Sequence, residues 1–481
     1  MAFFPELILL GGTLALFLFC LGEGRARAAR LAAIGLSLAF IAACLASLGR
    51  QADLFYGAYR VDAFSQWLKL TFAVGDLFIL LLSGDLPDVR DDVKPEYYLL
   101  LTLSVTGLTL LVSCLDLVTL VIAFELASFP LYFLVPMRRE RAGQRVQMES
   151  AIKYVMFGIL STGVMLFGMS YLFGLTGTTS LRSVMAGLAP VSQTPVALAG
   201  LGMVFAGFFY KLAVFPFHFW TPDVYQGASN ETTSLIASLP KLGAVAVLAR
   251  FVSLAPSPGS QTLAGLFTCL AAASMFYGNL VALLQKDLKR LLGFSSIAHA
   301  GYALIGFAAL DTPGTTAALY YIVSYLFMVL ACFVVVCRVS RDGTNVALDD
   351  LAGLHRRSPL LAVTLLVGVF ALAGLPPFAG FMGKLTLLKA ALAKGHLALV
   401  VIAVVNTAIA IYYYLAMVRE ACFREADGRP TLVLSGSTKV LCVLLITGIL
   451  VLGLAPNPVL TAISASVTGT GLPTAATSLV P

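Results

Sequence analysis

Apolar residues run along this chain in long, nearly uninterrupted windows separated by short polar links. Windows of roughly 18–25 residues are the length a helix needs to cross a bilayer. They fall at about 5–22, 31–48, 62–83, 97–114, 117–136, 150–173, 196–219, 232–254, 261–284, 290–309, 315–337, 359–393, 397–418 and 440–458. The pattern predicts fourteen spans. Two are discontinuous: Pro216 interrupts the seventh, and Gly374-Leu-Pro-Pro377 through Gly383 interrupts the twelfth. No polar stretch is long enough to fold by itself. The expected fold is a single all-α polytopic membrane protein. Pro5–Leu21 lacks a preceding basic region and is expected to be a retained first helix rather than a cleaved signal.

Composition agrees. Of 481 residues 59% are hydrophobic and 11% charged, with a mean hydropathy of +0.94. Soluble domains carry about 25% charge. The shortage excludes a cytosolic enzyme, a nucleic-acid binder and a disordered chain. Eight scattered cysteines without a CxxC, and four histidines, indicate neither a disulfide framework nor a metal site.

The net charge of +7 records topology rather than an acidic partner. Arg25, Arg27 and Arg30 follow the first span, and Arg138, Arg139, Arg141 and Arg145 the fifth. Lys286, Lys289 and Arg290 follow the ninth, and Arg338, Arg341, Arg356 and Arg357 the eleventh. Arg419, Arg424, Arg429 and Lys439 follow the thirteenth. All are odd-numbered spans, which predicts cytoplasmic basic loops and both termini outside. The connection after span three is acidic (Asp85, Asp88, Asp91, Asp92, Glu96), but acidic residues weigh little in that rule.

Three short echoes recur five spans apart and in the same order. Asp116-Leu-Val-Thr-Leu120 matches Asp287-Leu-Lys-Arg-Leu291, and Ala151-Ile-Lys-Tyr154 matches Ala318-Leu-Tyr-Tyr321. Leu212-Ala-Val-Phe-Pro216 matches Leu372-Ala-Gly-Leu-Pro376. A repeat of five spans inverts its successor, the architecture common in transporters. Helices broken in corresponding positions free carbonyls and helix ends at mid-depth, where an ion site can form. The units are expected at 1–94 (flanking spans one to three), 95–254 (first repeat), 261–420 (second repeat) and 421–481 (span fourteen and tail).

Ionisable residues inside the spans carry the chemistry. Glu125 is central in span five, Lys211 precedes Pro216, and Lys241 follows Pro240 in span eight. His299 is central in span ten and Lys384 adjoins the break in span twelve. Insertion costs about 2.5–3.5 kcal/mol for each deep acid or lysine. Each could snorkel or form a fixed interhelical ion pair. That bland reading suits Lys69, Lys153 and Lys389, nearer span ends, better than the deep residues. Burial disfavours a charged lysine and a nearby carboxylate favours it. A Glu125–Lys211 pair that opens and closes could therefore switch the next lysine, and His299 could bridge Lys241 to Lys384. The chain has no P-loop, dinucleotide fingerprint, clustered cysteines or paired haem-ligand histidines. It should move an ion with energy supplied elsewhere.

Three segments carry a resemblance. They are Tyr210-Lys-Leu-Ala-Val-Phe-Pro-Phe-His-Phe-Trp-Thr-Pro-Asp-Val-Tyr225, Asp287-Leu-Lys-Arg-Leu-Leu-Gly-Phe-Ser-Ser-Ile-Ala-His-Ala-Gly-Tyr302 and Leu372-Ala-Gly-Leu-Pro-Pro-Phe-Ala-Gly-Phe-Met-Gly-Lys384. Over about residues 95–420 the chain resembles the antiporter-like subunits of respiratory complex I. The N type, counterpart of mitochondrial subunit 2, matches best. Phe-His-Phe-Trp-Thr-Pro-Asp-Val-Tyr is characteristic of that type, and Lys384 stands where the M type has glutamate. The chain also stops soon after span fourteen, without the lateral helix of the L type.

The resemblance implies two inverted five-helix units. It makes Glu125 and Lys211 the acid and lysine of the first half-channel, Lys241 the central lysine, His299 a bridge and Lys384 the exit-side lysine. It also implies a proton-translocating inner-membrane subunit with no redox centre of its own. FMN, Fe–S clusters and quinone would sit on other subunits, with subunits M, K and J and the lipid bilayer as partners and no nucleic acid. Lys289 and Arg290 belong to a family motif and read as cytoplasmic boundary residues.

One departure stands out: after Tyr225-Gln-Gly-Ala228 the family usually has Pro-Thr-Pro-Val-Thr, whereas this chain reads Ser229-Asn-Glu-Thr-Thr233. Glu231 is either a helix-start acid favoured by the dipole or an added carboxylate near a point of proton uptake. Two alternatives to the whole reading are a subunit of a multisubunit Na⁺/H⁺ antiporter and a passive scaffold with fixed ion pairs.

Overall fold

The computed structural model describes residues 2–22, 24–84, 86–140, 145–254, 261–426 and 428–469. Arg141 and Asp85, counted above among loop charges, lie outside these residues, as do positions 470–481 of the tail. The helices run in the order α1 (Phe4–Cys20), α2 (Ala26–Ser47), α3 (Ala63–Leu82), α4 (Lys94–Leu111), α5 (Leu117–Leu134), α6 (Val146–Thr176), α7 (Leu181–Leu188), α8 (Pro195–Leu212), α9 (Trp220–Gly227) and α10 (Asn230–Leu254). They continue with α11 (Gln261–Ala282), α12 (Leu288–Ala308), α13 (Thr312–Val339), α14 (Leu354–Arg357), α15 (Pro359–Ala373), α16 (Ala379–Ala393), α17 (Leu397–Phe423), α18 (Gly436–Leu454) and α19 (Asn457–Thr468). A small antiparallel hairpin, β1 (Ala52–Leu54) with β2 (Tyr59–Val61), joins α2 to α3.

Every apolar window holds a helix or a pair of half-helices. Among the described residues, eleven helices are long and apolar enough to cross a membrane. The other windows hold the shorter α1, the charged-headed α4 and the split pair α15/α16. The predicted breaks are real: α8 ends at Leu212 before α9 begins at Trp220, and α15 ends at Ala373 before α16 begins at Ala379. Windows gave no sign of α7, α9, α14 or α19, which are too short for such a pattern.

One of the sequence echoes has a local explanation. Asp116 and Asp287 are both N-caps, accepting from the amides of Val118 and Thr119 in α5 and of Arg290 in α12. Each also makes an isolated β-bridge, to Ser180 and Ala347 respectively.

Burial sorts the helices. Nearly every residue of α10 and α12 is enclosed, so these two with α13 form the centre. By contrast α1, α2, α6, α17 and α18 turn large apolar side chains outward, among them Leu14, Leu38, Phe167, Val404 and Val451. That surface suits lipid, where apolar exposure costs nothing. Small residues let α11 and α12 approach closely. A Cβ on Gly278 would lie 2.6 Å from the Ala298 amide nitrogen.

Buried ion pairs fasten distant parts of the chain to one another. Lys69 of α3 and Glu6 of α1 lie 2.5 Å apart, both with fully buried side chains, and Tyr59 donates to the same carboxylate oxygen. Lys69 is thus a structural pair rather than a snorkelling side chain. Arg250 at the end of α10 holds Asp62, the N-cap of α3, through both guanidinium nitrogens at 2.6 and 3.1 Å. Arg138 holds buried Asp88 at 2.6 Å.

Candidate functional site

The helix breaks organise the site. At the first, Ala213 adopts a left-handed conformation (φ 64°) and α8 stops with its last carbonyls pointing into the protein. Such carbonyls carry the partial negative charge of a helix C-terminus. Lys241, only 1% exposed, reaches across from α10 and donates to the Leu212 carbonyl at 2.8 Å.

The second break repeats the arrangement with another helix as donor. Gly374 takes φ 86°, and Lys384 of α16 folds back onto the carbonyls of Leu372 (3.2 Å) and Ala373 (3.0 Å) at the end of α15. A Cβ on Gly374 would stand 2.9 Å from Lys384 Cδ, so glycine is required for both conformation and space. Leu212 and Leu372 are the aligned residues of the third sequence echo. Each offers its carbonyl to a buried ammonium.

Lys211 and Glu125 are near each other but not in contact. Lys211 Nζ donates to Ser128 Oγ at 2.5 Å and sits 5.3 Å from the Phe124 ring centroid. Ser128 in turn donates to the Phe124 carbonyl. Half-buried Glu125 accepts from Thr162 of α6 at 2.5 Å. Among the described residues no ion pair joins Lys211 to Glu125. The expected acid–lysine pair is separated, with Ser128, one turn along α5 from Glu125, holding the lysine.

His299 lies on α12, where both central lysines, Lys384 and Lys241, act on it electrostatically. Its Nδ1 is 2.6 Å from the Tyr321 hydroxyl of α13, and its Nε2 is 3.0 Å from the Tyr414 hydroxyl of α17. Tyr414 continues to Ser295 at 2.5 Å. Tyr302 completes the cage, with Lys384 Nζ 4.5 Å from its ring centroid. The three tyrosines were not anticipated. A tyrosine in an apolar helix resembles any core aromatic until its hydroxyl partner is known; the runs Tyr320-Tyr321 and Tyr412-Tyr-Tyr414 were the available signal.

On the side of the basic loops the structure corrects one expectation. Lys289 is not a solvated boundary residue: it is fully buried and donates to the Ala228 carbonyl at 2.7 Å. Arg290 does lie at the edge. It binds Asp223 of α9 at 2.8 Å, and Lys153 of α6 binds the other oxygen of that carboxylate at 2.7 Å. Burial raises the Asp223 carboxyl, but these two cations outweigh it and hold the group below its ordinary range. Lys389 is exposed. Glu231, the second residue of α10, is 3% exposed rather than at a solvated helix start.

Comparison with known proteins fits this geometry. Residues 114–410 match the family described as the transmembrane region of NADH:quinone oxidoreductase and Mrp antiporters. A subunit N 2 of NADH-quinone oxidoreductase from Opitutus terrae is 63% identical over 466 residues, covering 97% of each chain. A chain of respiratory complex I from Thermus thermophilus superposes with a TM-score of 0.82 at 33% identity, covering 96% of this chain and all of that one. A chain of the Mrp complex from Dietzia superposes with a TM-score of 0.85 at 20% identity over 98% of each chain, a likeness of fold alone.

Proposed function

Because the chain belongs to the family of antiporter-like N subunits of NADH–quinone oxidoreductase, we propose that Glu125, Lys211, Lys241, His299 and Lys384 pass protons across the membrane while quinone is reduced on other subunits of a complex I-type enzyme. The observation that carries this reading is the seating of Lys241 and Lys384 on the carbonyl ends of two broken helices, with His299 acted on electrostatically by both. Backbone carbonyls hold both ammonium groups, the Tyr302 ring also faces Lys384, and neither has an ion-pair partner among the described residues. Each can therefore lose or gain a proton without stranding a fixed counter-charge.

The steps follow from the contacts. When the Lys211 ammonium leaves Ser128 for Glu125, the carboxylate compensates its charge and weakens the positive field at Lys241, which lies against the next residue, Leu212. That favours protonation of Lys241; the return favours release. His299 carries the charge onward because one ring nitrogen accepts while the other donates, with Tyr321 and Tyr414 as its two partners.

In this reading residues 95–254 and 261–420 are the two inverted units, flanked by 1–94 and 421–481. The basic loops are cytoplasmic and both termini are on the outer side of the inner membrane. FMN and the Fe–S clusters sit elsewhere in the complex, and subunits M, K and J are the neighbours.

The test is purification of the tagged chain from native membranes in mild detergent, followed by assays for flavin, Fe–S absorbance and quinone reductase activity. Recovery of a large redox-active complex supports the reading. Recovery with only small hydrophobic partners, together with sodium-dependent exchange, would replace it with the antiporter.

A further inference from the structure

The start of α10 holds a polar cluster that the lysine row does not use. Ser229, Asn230, Glu231, Thr232, Thr233 and Ser234 follow one another, and all are 3% exposed or less. Most of the hydroxyls are bonded: Ser229 to Thr232 at 2.9 Å, Thr233 to the Tyr225 and Ser229 carbonyls, and Ser234 to the Glu231 carbonyl. Three atoms are not. Glu231 Oε2, Asn230 Nδ2 and Asn230 Oδ1 are buried without a hydrogen-bond partner among the described residues. Buried polar atoms without partners are costly and uncommon, and where they cluster they mark a place that takes up something polar.

The charges around Glu231 come from several elements. Lys289 of α12, Arg338 of α13 and Asp88 of the loop before α4 act on it directly, with Tyr97 of α4 and Cys337 of α13 alongside. Arg138 is bound to Asp88 and also acts on Lys289. The cluster lies at the end of the molecule that carries the basic loops. In the other direction it leads to the centre. Glu231, Ser234, Ser238 and Lys241 follow at spacings of three, four and three, which lines them along one face of α10. At about 1.5 Å per residue the stripe is roughly 15 Å long. Both serine hydroxyls are buried and turned along the helix, Ser238 donating to the Ser234 carbonyl at 2.6 Å.

We infer that Glu231 is a proton-loading group on the basic-loop side, feeding Lys241 along the hydroxyl stripe of Ser234 and Ser238. A proton from bulk water on that side converts the Glu231 carboxylate to the acid. The acid then returns to carboxylate as its proton passes, through water molecules bridging the Ser234 and Ser238 hydroxyls, to the neutral Lys241 amine, which becomes an ammonium. Lys289 keeps the empty carboxylate compensated between turnovers. This deepens the proposed function and depends on Lys241 being the central proton carrier.

The test uses the intact complex in native membranes and in reconstituted vesicles, comparing Glu231→Gln, Glu231→Asp and the pair Ser234→Ala/Ser238→Ala with wild type. Glu231→Gln keeps size and burial but cannot ionise. It is expected to lower proton pumping and coupled quinone reductase turnover by about a hundredfold, the lower end of the range for a lost acid–base group. Glu231→Asp restores most of the rate. The serine pair slows pumping with unchanged complex yield. If Glu231→Gln prevents assembly, the serine pair decides, since Ser→Ala is benign in a helix. Normal pumping in an assembled Glu231→Gln complex, or in the serine pair when that variant decides, overturns the inference. If Lys241→Ala also pumps normally, the proposed function fails too; if Lys241→Ala stops pumping, only the Glu231 inference fails.

Discussion

Lys241 donates to the carbonyl of Leu212, the residue after Lys211, so the broken end of α8 holds one buried lysine in its own backbone and a second from the neighbouring α10. Charges held inside protein interact more strongly than charges in water, and the shared helix end is the place where a shift of Lys211 is expected to bear on Lys241.

Ser128 controls the resting position of Lys211. Ser128→Ala removes the acceptor 2.5 Å from Nζ. Loss of a hydrogen bond to a buried charge costs about 1.5–3 kcal/mol, and Glu125 becomes the best remaining partner. The expected outcome is an assembled complex with several-fold slower pumping, measured as acidification per quinone reduced. Wild-type rates would show that Ser128 does not hold the lysine in the working enzyme.

The hydroxyls around His299 are predicted to act together. Tyr321→Phe and Tyr414→Phe each remove one ring-nitrogen partner. Each variant should slow pumping. The double variant should slow it less than the product of the two single effects, because one relay passes through both. Independent effects in a double-mutant cycle would argue against a relay through the ring.

Gly374→Ala tests the second break. The position needs φ 86°, and the added methyl meets the Lys384 side chain at 2.9 Å. A left-handed alanine costs about 1–2 kcal/mol. The expected result is lower thermal stability of the subunit together with reduced pumping. A stable complex that pumps normally would show that Lys384 need not rest on these carbonyls.

Glu6 and Lys69 should behave oppositely to the central residues. Removing one partner of a buried pair costs about 3–5 kcal/mol, while replacing both with neutral residues of similar size costs far less. Glu6→Gln and Lys69→Met should each lower complex yield, and the double variant should recover it. Protons pumped per electron should stay unchanged in whatever complex assembles. A fall in that ratio would place the pair on a proton route.

Asp223 ties α6 and α12 to α9 as a carboxylate held below its ordinary value. Its stabilisation is therefore complete above the unfolded carboxylate value of about 3.9 and is lost as pH falls through and below it. Thermal melting of the purified complex should lose stability on that acid limb, and Asp223→Asn should flatten it. An identical acid limb in the variant would contradict the assignment.

The spans and both breaks were legible in the sequence because a bilayer imposes a long apolar window, and prolines with glycine mark where such a window must open. The lysines and His299 were legible because ionisable groups in apolar windows are rare. Partners were not legible. Glu6 near the start of the chain and Arg250 late in an apolar window each close an ion pair with a residue far away in the chain. Lys289 reads only as a residue of a basic boundary, and packing alone shows it buried with its ammonium on the Ala228 carbonyl. Ser128 carries no signal until packing brings a lysine to its hydroxyl, and the tyrosine runs are only a weak one until an imidazole meets theirs.

The most direct test of the central claim is the number of protons pumped per electron by the purified, reconstituted complex carrying Lys241→Ala. The account predicts normal assembly with pumping and coupled turnover strongly reduced. A lower yield of complex that pumps the wild-type number of protons per electron would contradict it, and would make the buried lysines fixed structural charges.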